Sequence, residues 1–193
     1  MRRTKLIIRF NTILVLAAGM LASGCLFTPR EAELPGEGGD PWVVPNAPKD
    51  VFINLGTGFS AIANSNYERS LSDNFTFLAR PADWPGFVSW DKSDELSFLD
   101  RLKADYTGER TIQFGDENGQ FAREEVEVGS ALYEGRYIIT LDRGDGSDPD
   151  IFAGIAIFYL EKGATGWGLV RWDDLDIFSD EYSTSSYLRN TFQ

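Results

Sequence analysis

The chain has 193 residues, with 18 Lys and Arg against 30 Asp and Glu, no histidine and one cysteine, for a formal net charge of −12. An acidic surface of this kind argues against a nucleic-acid partner and against a basic patch gripping anionic headgroups. The missing imidazole removes Ser-His and Cys-His nucleophile pairs and most zinc, iron and copper sites, so a metal would be a hard ion bound by oxygen; no cofactor is expected.

In chain order, Arg2, Arg3, Lys5 and Arg9 head a mostly apolar run over residues 10–22. That layout predicts a signal peptide over residues 1–24; the run is too short for a spanning helix, which needs about 20 apolar residues. It ends Leu21-Ala22-Ser23-Gly24-Cys25, which resembles the bacterial lipobox. The resemblance implies cleavage before Cys25 and a diacylglyceryl group on its thiol, making the membrane a partner through a lipid anchor. Ordinary signal cleavage at the same bond is the alternative. Cleavage removes four basic residues and no acid, taking the net charge from −12 to −16. Leu26 stands where Asp often marks inner-membrane retention in enteric bacteria, so the expected location is the cell envelope, at the outer membrane.

Residues 25–49 hold Pro29, Pro35, Pro41, Pro45 and Pro48 with Gly36, Gly38 and Gly39, a Pro/Gly-rich tether. As a flexible coil it would hold the domain on the order of 25–30 Å from the anchor. Residues 50–178 form one domain, large enough for a core without a disulfide, and residues 179–193 read as a polar C-terminal tail. Val51, Leu55, Phe59 and Ile62 make one apolar helical face, in which Gly56 and Gly58 each cost about 1 kcal/mol relative to Ala. Tyr67, Leu71 and Phe75 suggest a short second helix, and residues 74–79 a strand. Asp91 caps a third helix whose Leu96, Leu99 and Leu102 share a face. Beyond Tyr106 the period becomes two: strands over 111–114, 122–130, 133–141, 151–160 and 167–177. Residues 151–160 are apolar on both faces, which marks a central strand. Helices followed by hairpin-linked strands predict an α+β domain.

The stretches Val51-Phe52-Ile53-Asn54-Leu55, Asn66-Tyr67, Leu71-Ser72-Asp73-Asn74-Phe75-Thr76-Phe77, Trp90, and Trp167-Gly-Leu-Val-Arg-Trp-Asp-Asp174 carry a second resemblance. They resemble bacterial lipoproteins with a nuclear transport factor 2-like, polyketide cyclase-like domain. That resemblance implies a curved antiparallel sheet wrapped round about three N-terminal helices as a cone, and a homodimer through the outer sheet face. Some relatives of the fold are isomerases, dehydratases or cyclases that work in the cone with a carboxylate or His base.

For such a site Asp73, Tyr67, Tyr137 and Tyr159 are the pocket candidates, with Arg171 and Asp173 beside them. Against this, Asp73 can simply start a strand, the tyrosines pack, and Arg171 and Asp173 sit in solvent; no catalytic residue is assigned. The acidic loop 142–150 reads as a solvated hairpin turn, since its acid spacing differs from a calcium loop and no bidentate Glu follows. Three functions stay open. The first is a non-catalytic envelope lipoprotein whose cone binds an apolar small molecule or an envelope protein. The second is a pocket enzyme using carboxylate and Tyr, and the third a structural or assembly lipoprotein. A buried carboxylate beside a Tyr would favour the enzyme, an apolar cavity the binder, and a filled cavity the structural role.

Overall fold

The computed structural model describes residues 41–61 and 64–193. The signal segment, Cys25 and most of the tether lie outside the described residues. Helix α1, Pro48–Ser60, starts on a proline, whose missing N–H is harmless in the first turn. Asp50 accepts from the Ala47 amide at 2.8 Å and closes the turn. Val51, Leu55 and Phe59 are buried on its inner face, as their spacing predicts. Helix α2, Ser65–Ser70, leads straight into strand β1, Leu71–Leu78. Helix α3, Lys92–Asp105, is capped by Asp91, whose carboxylate accepts from the Ser93 and Asp94 amides. Strands β2 (Arg110–Phe114), β3 (Arg123–Val126), β4 (Ser130–Leu141), β5 (Asp150–Gly163) and β6 (Gly166–Ile177) follow, and helix α4, Ser185–Thr191, ends the chain.

The sheet runs β1-β6-β5-β4-β2, with β3 also on β4; every pairing is antiparallel except β1 with β6. Register breaks in β1–β6 and twice in β5–β6 bend the strands, and the curved, unclosed sheet closes on the helices as an α+β cone. The β5 strand is interior, paired on both edges. Its two faces differ, however: Gly154, Ala156, Phe158 and Leu160 are buried, whereas Ile155, Ile157 and Tyr159 are half-exposed on the outer face. The apolar run therefore reports a central strand covered on one side only.

The fixed domain begins ahead of Asp50. Buried Asn54 on α1 reads the backbone of Val43, accepting from its N–H at 2.9 Å and donating to its C=O at 2.6 Å. Trp167 N–H donates to Pro45 C=O, and the Arg69 guanidinium lies 4.0 Å from the Trp42 ring centre. At the other end, residues 179–193 include α4, whose Leu188 and Arg189 are buried in the cone. Among the described residues no helix is long and apolar enough to cross a membrane.

Candidate functional site

The cone is filled by aromatic side chains. Phe158 and Trp172 sit at its centre with no exposed surface, their rings 5.0 Å apart, and Phe52, Phe114, Tyr137 and Phe77 pack around them mostly edge to face. Two tyrosine–carboxylate pairs are embedded in this core. Tyr67 donates to Glu95 Oε1 at 2.8 Å, and Trp90 Nε1 donates to Oε2 at 2.7 Å. The same two oxygens accept from Arg189 Nη2 and Nε at 2.6 and 2.8 Å. Glu95 and Arg189 are fully buried, and the bidentate pair neutralises both charges. Burial works against the Arg189 charge, but the Glu95 carboxylate outweighs it and holds the guanidinium more basic than usual. Burial, reinforced by the Glu95 charge, pushes the Tyr67 hydroxyl well above its usual pKa of 10.0.

The second pair joins Tyr137 to Asp174 Oδ1 at 2.7 Å. Asp174 Oδ2 accepts from the Ser186 amide at 2.7 Å, the Ser186 hydroxyl at 2.5 Å and the Ser185 hydroxyl at 3.0 Å. Tyr137 Oη in turn accepts from the Ser185 amide. Burial raises the Asp174 pKa, against four hydrogen bonds that favour the charged form. Each tyrosine stands over a glycine that makes room for it. A Cβ on Gly58 would lie 2.2 Å from the Tyr67 amide nitrogen, and one on Gly154 would lie 2.3 Å from Tyr137 Oη.

Of the residues proposed from sequence, Tyr67 and Tyr137 thus enter the cone and the others do not. Asp73 is fully exposed and paired with Lys92 at 3.1 Å. Tyr159 lies on the outer sheet face under the Arg171 guanidinium, whose two nitrogens clamp Asp173 at 2.6 Å each. Glu95, Asp174 and Arg189 were missed. Glu95 carried a signal: it precedes Leu99 and Leu102 by four and seven residues, so a carboxylate stands in the apolar stripe of α3. In the acidic loop, Asp142 and Asp145 accept from backbone amides two residues on, and Asp150 from Arg143 and Tyr106. Among the described residues, no group of three or more acidic or sulfur ligands is placed to hold a metal ion.

Neither pair lines an open cavity, since both are capped by α4. An open groove of about 660 Å³ lies elsewhere, between α1, β2 and the loop after β2. Phe52, Ile53, Gly56, Ile112, Phe114 and Phe121 form its apolar surface; Lys49, Thr57, Ser60 and Thr111 supply the polar atoms. Its described lining holds no carboxylate, and Lys49 is paired with Glu124 at 2.7 Å. Such a groove can take an apolar molecule.

No protein-family model matches this sequence, and neither does any curated protein. Solved structures do resemble it. A putative aromatic ring hydroxylase from Novosphingobium aromaticivorans is 14% identical at a TM-score of 0.55, covering 68% of this chain and 86% of its own. A hexachlorocyclohexane dehydrochlorinase is 12% identical at a TM-score of 0.50, covering 66% and 81%. A nuclear transport factor 2-like superfamily protein from Salmonella enterica is 15% identical at 0.49, covering 68% and 89%. Likeness at this identity establishes the fold alone, a curved-sheet α+β cone.

Proposed function

We propose that this chain is a non-catalytic cell-envelope lipoprotein, anchored through Cys25 at the outer membrane, whose domain binds an apolar small molecule in the α1–β2 groove. The observation that carries the reading is the division of labour inside the domain. The α1–β2 groove is apolar and free of carboxylates among its described lining residues, while the two carboxylates inside the cone, Glu95 and Asp174, have their oxygens occupied by protein donors. Chemistry in the cone needs a carboxylate with room for substrate beside it, and α4 fills that room. The enzyme reading draws on one specific observation, the hydrogen-bonded tyrosine–carboxylate pairs themselves; it requires α4 to move aside.

The binding test uses a neutral apolar fluorophore such as N-phenyl-1-naphthylamine, titrated into wild type and Gly56→Leu. A Cβ at Gly56 meets nothing closer than Ile112 C=O at 3.6 Å, so the substitution is tolerated while its side chain fills the groove. Saturable binding by wild type that is lost in the variant, with the thermal midpoint unchanged or raised, supports the reading. Equal binding by both moves the ligand elsewhere. For the anchor, metabolic labelling with a palmitate analogue should mark the wild type and leave Cys25→Ala unmarked; an unlipidated free thiol in the mature native protein contradicts it.

A further inference from the structure

Both tyrosine–carboxylate pairs are completed by one short element. Arg189 neutralises Glu95, and Ser185 with Ser186 saturates Asp174, all from α4. The surroundings of the Arg189 guanidinium are those of a cation receptor. Its carbon lies 4.3, 4.7 and 5.0 Å from the ring centres of Phe77, Trp172 and Phe98. Opposite them stands a bidentate carboxylate whose two oxygens are fixed by Tyr67 and Trp90. Aromatic faces with a preoriented carboxylate select a flat, delocalised cation over a compact ammonium.

The element that fills this receptor is seven residues long, too short to be helical by itself, so its helix depends on docking. It hangs from β6 by a connection in which Phe178, Asp180, Glu181 and Ser183 are exposed. A buried ion pair adds little stability over an apolar filling of the same volume, and its best-attested use is to fix a register or work a switch. Withdrawal of α4 would leave the Glu95 carboxylate held by Tyr67 and Trp90 but without its bidentate partner, a place that a planar cation of the same geometry can take. A cleft of about 230 Å³ bounded by Trp84, Trp90, Arg101 and Gln193 already reaches Trp90, whose indole holds Glu95.

We propose that the centre of the cone is a binding site for a planar organic cation of the guanidinium class, kept shut in cis by Arg189, with α4 as the latch that such a ligand displaces. This site is distinct from the α1–β2 groove and does not rest on the function proposed for it.

The test uses the full chain in non-ionic detergent with N-ethylguanidinium as probe, read by hydrogen exchange and intrinsic tryptophan fluorescence. Wild type should bind saturably, with faster exchange of the 185–191 amides and no change in β4 or β5. Arg189→Ala, which removes the competing side chain, should reach half-saturation at a concentration roughly tenfold lower or less. Adding Glu95→Gln to that variant should abolish binding. Three results overturn the proposal: a folded Arg189→Ala that binds nothing; 185–191 amides that stay protected in wild type; or acceleration spread equally over β4 and β5, the mark of general denaturation. Should Arg189→Ala not fold, the wild-type exchange pattern decides alone.

Discussion

Replacing Glu95 by Met should destabilise the domain by about 4 kcal/mol, the usual cost of leaving one member of a buried ion pair without its partner. Arg189 would lose both charge-assisted hydrogen bonds, at 2.6 and 2.8 Å, in a site where its side chain is 2% exposed and no water can replace them. Tyr67 and Trp90 would lose their acceptor as well. At about 3 °C per kcal/mol for a domain of this size, the thermal midpoint should fall by about 12 °C. Adding Arg189→Met removes the stranded charge, so the double variant should be about 2 kcal/mol more stable than Glu95→Met alone. Urea unfolding of wild type, both single variants and the double completes the cycle. Additive losses would show that the two residues do not act as a pair, and a single-variant loss under 1 kcal/mol would show that Glu95 is not buried as described.

Further outcomes follow from the same geometry. Because burial raises the folded pKa of Asp174, its charge is a burden above that pKa that protonation relieves. The stability of wild type relative to Asp174→Asn should therefore grow as pH falls from neutrality toward 4, measured by urea melts; a flat or shrinking difference refutes this. The hydroxyls of Tyr67 and Tyr137 are held well above 10.0, first by burial and then by the adjacent carboxylates, so both should ionise only on alkaline unfolding, followed by absorbance at 295 nm. Gly58→Ala and Gly154→Ala should each cost more than 1 kcal/mol, since a Cβ collides with Tyr67 and Tyr137, whereas Gly56→Ala should stabilise by up to about 1 kcal/mol. Asp73→Ala should stay within about 0.5 kcal/mol of wild type, its carboxylate being fully exposed.

The cone was legible because its elements follow their own periods. Val51, Leu55 and Phe59 keep a helical spacing, Asp91 is a cap of ordinary type, and β5 is apolar enough to sit between two strands. Asp73 was misplaced for a local reason. Asp73 stands ahead of the inward pair Phe75 and Phe77, and the register break between Leu71 and Thr76 turns it to solvent. Tyr159 follows the period and sits outside, between inward Phe158 and Leu160. The buried pairs were harder. Arg189 meets Glu95 across 94 residues of chain, from a segment whose composition is that of a polar tail. Nothing local in Ser185-Ser186-Tyr187-Leu188-Arg189 announces that it will close the core.

In the proposed function an apolar ligand occupies the α1–β2 groove while the tyrosine–carboxylate pairs stay shut. Nuclear magnetic resonance mapping of a neutral apolar probe on the isotope-labelled full chain in detergent tests this directly. The amides of Ile53, Gly56, Thr57 and Ile112 should shift saturably, while the indole signals of Trp90 and Trp172 stay fixed. Shifts at those two indoles, with the groove amides unmoved, would put the apolar ligand inside the cone and contradict the account.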